Sequence, residues 1–208
     1  MTGVTVQKPA LPLLCRKKEM KKYWDSAVSY ENYLRDNEEK INQLRKAESE
    51  EDKTLLGYYE LGLTRMKRVD KTYHAPQDQL EKLEEKKFEG KILVIAEGWC
   101  GDASMIVPVI HKFFEDKAEV RISYRDQHNL IDSFLTNGGK AIPIVLAMNE
   151  KDDVIGRWGP RTKYGTELLM KYKADPEHYT ADDFHNDLQI YYTKNKGRAI
   201  IDEFLEIL

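Results

Sequence analysis

Lys91-Ile92-Leu93-Val94-Ile95-Ala96, followed at once by Glu97-Gly98-Trp99-Cys100-Gly101-Asp102, is the stretch on which the fold turns. The first half is a short, continuous apolar run rich in β-branched residues. That is the pattern of a strand buried on both faces, and not of an amphipathic surface element. Gly98 and Gly101 bracket Trp99 and Cys100 in a tight turn. From Ala103 to Phe114 the apolar residues Ile106, Val109, Ile110 and Phe113 recur at helical spacing, with Pro108 expected to kink the helix. Cys100 is therefore placed between a buried strand and the start of a helix. Free amides at a helix N-terminus stabilise an anion, so the thiolate is expected to be favoured there.

Downstream of this unit, Glu119 to Tyr124 reads as a second strand and Asn129 to Leu135 as a short helix stopped by Asn137-Gly138-Gly139. Pro143 to Met148 reads as a third strand. Asn149 to Asp153 forms a turn, and Val154 to Trp158 returns as a fourth strand. The order is β-α-β-α-β-β. Upstream, helices are expected over Lys21–Glu48, Thr54–Tyr73 and Pro76–Lys87, after an irregular arm of about twenty residues. Downstream, Thr162–Lys173 and Ala181–Asn195 are expected as helices, with a last one lined by Ile200, Ile201, Phe204 and Leu205. The chain thus divides into an N-terminal arm and helical extension (1–85), a core (86–160) and C-terminal helices that complete the same domain (161–208).

Bulk composition bounds the function classes. Of 208 residues, 41% are hydrophobic and 33% charged, with a net charge of −3, as expected of a charged globular protein without the basic surface that nucleic-acid binding needs. No apolar run reaches the ~20 residues that span a bilayer. Ala10-Leu11-Pro12-Leu13-Leu14-Cys15 is apolar but shorter than a secretory core, so a cytoplasmic protein is expected. The two cysteines, Cys15 and Cys100, are too few for a disulfide scaffold and lack zinc-ligand spacing. No phosphate loop, dinucleotide fingerprint or metal cluster stands out, and no bound cofactor or metal is expected.

Trp99-Cys100-Gly101-Asp102-Ala103 resembles the Trp-Cys-Gly-Pro-Cys active site of thioredoxins. About forty residues on, Ala141-Ile142-Pro143-Ile144-Val145-Leu146 and the hairpin through Val154-Ile155-Gly156 resemble the cis-proline strand and following hairpin of that superfamily. The motif, with Arg125-Asp126, Leu135-Thr136-Asn137-Gly138-Gly139 and Arg157-Trp158-Gly159-Pro160-Arg161, looks like a bacterial branch of it. The resemblance implies an α/β thioredoxin-like fold, a central four-stranded mixed sheet flanked by helices. It also implies a cis Ile142–Pro143 bond facing the Cys100 sulfur, with substrate pairing to the backbone at Ile142 and Pro143.

Two departures shape the expected chemistry. Ala103 stands where thioredoxins carry the resolving cysteine, and Val94 where they carry a buried aspartate. The implied activity is thiol–disulfide exchange of one-thiol type. Cys100 would attack disulfides or protein–small-thiol mixed disulfides, and a low-molecular-weight thiol would act as co-substrate. Glutathione- and bacillithiol-dependent forms are equally compatible. The rival readings are a redox-silent binding module using the cis-proline groove, and a thiol redox sensor. Cys15 is a resolving thiol only if the N-terminal arm folds back.

The remaining site candidates come from position. Asp102 either favours the helix start through the dipole or raises the thiol pKa by its charge. Arg125, Asp126 and His128 follow the second strand, at the sheet edge where ligand sites gather, and His128 is a candidate acid–base partner. Trp158 and Arg161 flank Gly159-Pro160, either near substrate or packed on the C-terminal extension.

Overall fold

The computed structural model describes residues 17–208. The N-terminal arm and Cys15 lie outside them. The element order is α1 (Lys17–Ser26), β1 (Val28–Ser29), α2 (Tyr30–Leu44), α3 (Glu50–Thr72), α4 (Gln77–Lys86), β2 (Gly90–Ala96), α5 (Ala103–Phe114), β3 (Val120–Tyr124), a 3-10 turn (Asn129–Ser133), β4 (Ile144–Asn149), β5 (Val154–Trp158), α6 (Lys163–Ala174), α7 (Ala181–Asn195) and α8 (Arg198–Leu205).

The sheet has five strands in the order β1-β3-β2-β4-β5. β2 is central, parallel to β3 and antiparallel to β4, with Ile95 opposite Ile144 and Val94 opposite both Ile122 and Val145. Its apolar run explains the position: Ile92, Leu93, Val94, Ile95 and Ala96 have no exposed surface at all. Each such aliphatic side chain contributes roughly 1.5–3 kcal/mol by leaving water. Only a strand covered on both faces gains this from every residue. α5 packs on β2 and β3 and carries the core outward to α3 and α8. One hydrophobic cluster runs through Met66 of α3, Ile106 of α5 and Phe204 of α8. α5 continues through Pro108, whose missing N–H leaves one carbonyl of the preceding turn without its helical donor.

The expected first helix, Lys21–Glu48, is in fact two helices with an edge strand between them, which makes the sheet five-stranded and not four-stranded. The cause is local. Ser29 caps α2 by accepting the Asn32 N–H at 3.3 Å, and Val28 pairs with Ile122 of β3. The bend is held from across the sheet by Arg121, which donates to Trp24 O at 3.2 Å and lies 4.8 Å from the Trp24 ring centre. α3 begins four residues earlier than its apolar stripe suggests, because Ser49 caps it and Glu50, Glu51 and Asp52 suit its positive end. The short helix expected after β3 is a 3-10 helix, Asn129–Ser133, that ends two residues earlier than expected.

Thr180 starts α7 with a capping box: its hydroxyl accepts the Asp183 N–H at 3.2 Å, and Asp183 accepts the Thr180 N–H at 2.9 Å. Thr180→Ala is expected to cost about 1 kcal/mol and to lower Tm by about 2–4 °C, as read by thermal denaturation.

Candidate active site around Cys100

The turn between β2 and α5 is fixed from both ends. Cys100 N–H donates to Glu97 O at 3.1 Å, and Cys100 O accepts the Ser104 N–H at 3.0 Å. Cys100 is thus the residue at which the helical hydrogen-bond ladder opens. The backbone N–H groups of Asp102 and Ala103 point at its sulfur and favour the thiolate. The sulfur also meets the loop before β4: the thiol donates to Ile142 O at 3.5 Å. The Ile142–Pro143 peptide is cis, as is Gly159–Pro160. Sulfur, helix start and cis-proline strand therefore meet at one point.

The electrostatics of that point set the state of the thiol. Cys100 is only 8% exposed. Burial first, and the charge of Asp102 second, push its thiol from an ordinary value near 9.0 up to about 11. The two amides and Arg161 oppose this and do not win. At neutral pH this favours the thiol, the outcome that the sequence leaves open between the helix start and Asp102. The helix-start effect is present, but burial and a neighbouring carboxylate exceed it.

Asp102 makes no capping bond to its own helix. Its carboxylate turns sideways instead. Oδ2 accepts from Arg161 Nε at 3.1 Å and Nη2 at 2.7 Å, and Oδ1 accepts from the Tyr192 hydroxyl at 2.7 Å. Asp102 is 8% and Tyr192 1% exposed, so the carboxylate and the hydroxyl are shielded from water. It ties the motif to the loop after β5 and to α7. Ala103 is fully buried, and no second thiol stands beside Cys100 among the described residues.

On the other side of the turn, Trp99 is half-buried and the Arg125 guanidinium lies 4.7 Å from its ring centre. Arg125 is paired with Asp126 through two contacts of 2.7 and 2.9 Å. Glu97, which the sequence reading passed over, is buried. It accepts the Asp126 N–H at 2.9 Å, and burial raises its pKa. Arg125 and Asp126 are thus brought to the motif. His128 is not: its ring meets Tyr23 edge-on at 6.1 Å, and neither a hydrogen bond nor a ring contact joins it to the motif. Trp158 is buried and donates to Glu203 of α8 at 3.0 Å, a packing role. Arg161 is the member of its segment that reaches the site.

The N-terminal helices form a wall of the same site. A Cβ built on Gly62 of α3 would lie 2.7 Å from Gly98 O, so α3 touches the motif backbone where only glycine fits. A Cβ on Gly98 would lie 1.8 Å from Asn37 Oδ1 of α2 and 2.6 Å from Tyr59 Cε1 of α3. One turn beyond Gly62, Arg65 comes up beside Gly101: a Cβ there would be 3.7 Å from Arg65 Nη1. Only the two glycines of the motif hinted at such close approach in the sequence, and nothing pointed to Arg65.

Among the described residues no three His, Cys, Asp or Glu side chains converge as a metal site, and no helix is long and apolar enough to cross a membrane. Two solved structures share the fold. One is a protein of unknown function from Pseudomonas aeruginosa, 17% identical with TM-score 0.52, and 90% of this chain and 95% of that one are covered. The other is an HIV epitope-scaffold, 16% identical with TM-score 0.55 and the same coverage, 90% and 95%. At these identities the likeness is one of fold. No curated protein matches the chain. The family model described as Thioredoxin matches residues 48–173, so it takes in α3 and α4 before the motif and most of α6 after the cis-proline hairpin. A match over that much of a 208-residue sequence, centred on the Cys100 turn, means that the chain belongs to the thioredoxin family.

Proposed function

We propose that the protein carries out thiol–disulfide exchange through the single thiol of Cys100. The observation that supports it is the meeting of that sulfur with two helix-start amides and with the carbonyl of the cis Ile142–Pro143 segment. In the first step the Cys100 thiolate attacks one sulfur of a substrate disulfide. The Cys100–substrate S–S bond forms as the substrate S–S bond breaks, and the leaving thiolate takes up the proton that Cys100 released to solvent. In the second step a low-molecular-weight thiolate attacks the mixed disulfide at the substrate sulfur and regenerates Cys100. No step calls on Ala103, which has no thiol to give.

The thiol pKa of about 11 means that very little thiolate is present at rest. Exchange then depends on substrate docking. A chain pairing with the backbone at Ile142 and Pro143 takes over the carbonyl to which the thiol donates, and the sulfur is released toward the substrate. Gly101, which is exposed, and Trp99, which is half-buried, line the approach.

The test is intact mass of the Cys15→Ser protein after incubation with a small disulfide at pH 8. The expected result is one added thiol on Cys100, removed by excess small thiol. An adduct seen only after unfolding would overturn this reading. It would favour the redox-silent binding module, the reading to which the burial and raised pKa of Cys100 also lend support.

A further inference from the structure

Two of the cations around the Cys100 turn are paired with carboxylates. Arg161 is paired with Asp102 and Arg125 with Asp126. Arg65 is half-buried beside Gly101, the exposed residue next to Cys100, and among the described residues no carboxylate pairs with it. Arg68, one turn further along α3, donates to the Thr193 hydroxyl at 3.4 Å. Burial, and then the charge of Arg68, lower the Arg65 pKa. Its surroundings thus disfavour the cation, and an incoming anion would relieve that.

We infer that Arg65 is a specificity-determining residue that selects substrates carrying an anionic group, a carboxylate or sulfonate, within a few atoms of the disulfide. The inference rests on the thiol-exchange reading of Cys100 and names its substrate class. The chemistry follows from position. A guanidinium offers up to five donors in a planar fork suited to a carboxylate. α3 is held against the motif at Gly62, which keeps Arg65 beside Gly101, the residue that follows Cys100. A disulfide bound through the cis-proline loop presents its leaving half toward Gly101, where the free positive charge lies. A small thiol bearing a carboxylate satisfies both contacts. A cationic one meets Arg65 and Arg68 unmatched.

The experiment uses the Cys15→Ser protein at low salt and three methanethiosulfonates that differ only in charge: 2-sulfonatoethyl, methyl and 2-trimethylammonioethyl. In each, the Cys100 thiolate attacks the sulfenyl sulfur, a Cys100–S–S–R bond forms, and methanesulfinate leaves. The anionic reagent is expected to modify folded Cys100 about tenfold faster than the cationic one, the effect of ~1.4 kcal/mol between charges near a surface. The ratio should shrink as salt rises past ~0.1 M. In Arg65→Gln it should fall to within twofold of unity, with the rate of the neutral methyl reagent unchanged, and Arg65→Lys should keep most of it. A ratio unaltered in Arg65→Gln, or three equal rates in the parent protein, overturns the inference and leaves thiol exchange standing. Failure of all three reagents to modify the folded protein removes both.

Discussion

Replacing Asp102 by Asn is expected to speed alkylation of Cys100 at pH 8 by about ten- to a hundredfold. Asp102 is the largest charge opposing the thiolate, second only to burial among the causes that raise the thiol. Two unit charges about 6 Å apart at an effective dielectric near 20 interact by roughly 2.8 kcal/mol, which is about two pKa units. The amide replacement keeps the shape of the carboxylate and removes that repulsion. It also frees Arg161, now without its counter-charge, to attract the thiolate.

The same change carries a stability cost. Arg161 is 16% exposed in its side chain, and leaving such a charge unpaired costs about 3–5 kcal/mol. Stability and reactivity should therefore move in opposite directions, one read by denaturant titration and the other by labelling. The pH dependence gives a further check. The folded protein holds the Cys100 proton more tightly than the unfolded chain does. The stabilisation this brings is complete below about 9.0, the ordinary thiol value, and is lost as pH rises through about 11. In Asp102→Asn that alkaline loss should begin at the same pH, end at a lower one and be smaller. A labelling rate unchanged by the substitution would remove Asp102 as the guard of the thiol.

Gly98→Ala is expected to be among the most disruptive single-methyl changes in the molecule. The new Cβ would lie 1.8 Å from Asn37 Oδ1 and 2.6 Å from Tyr59 Cε1, far inside van der Waals contact. Asn37 is 2% exposed and Tyr59 8%, so neither can swing into solvent. Overpacking of this kind costs typically 1–3 kcal/mol, and here the upper end, about 3 kcal/mol, is expected. The relaxation available is separation of the motif turn from α2 and α3. Loss of stability should thus come with faster labelling of Cys100, because its cover loosens. Asn37→Ala in the same chain should recover part of the loss, since it removes the nearer of the two clashes. Gly98→Ala with parent stability would mean that the N-terminal helices do not hold the turn.

The parts of the fold that the sequence made legible are those with short-range punctuation. β2 is a solid apolar run ended by Glu97-Gly98. α5 carries its stripe from Ala103 to Phe114, and β5 follows an Asn149–Asp153 turn. β1 was hidden because two residues of edge strand sit inside a helical apolar pattern, and only pairing with Ile122 and the bond from Arg121 reveal the break. The site shows the same division. Cys100, its helix start and Pro143 could be read from local pattern and family resemblance. Arg161 and Tyr192 lie far along the chain from Asp102, and no local spacing links them. Arg65 belongs to a helix whose stripe gives no reason to single it out. The direction of the thiol shift stays open in the sequence for a related reason: the dipole of a helix start and the charge of Asp102 are written there, whereas the depth at which the turn is buried is set by α2, α3 and the cis-proline loop together.

The most direct measurement is the rate of iodoacetamide labelling of Cys100 against pH in the folded Cys15→Ser protein. A guarded thiol, held protonated by burial and Asp102, is expected to give a midpoint near 11 with slow labelling at pH 7. A midpoint at or below ~8.5, the value of an unperturbed thiol, would contradict it.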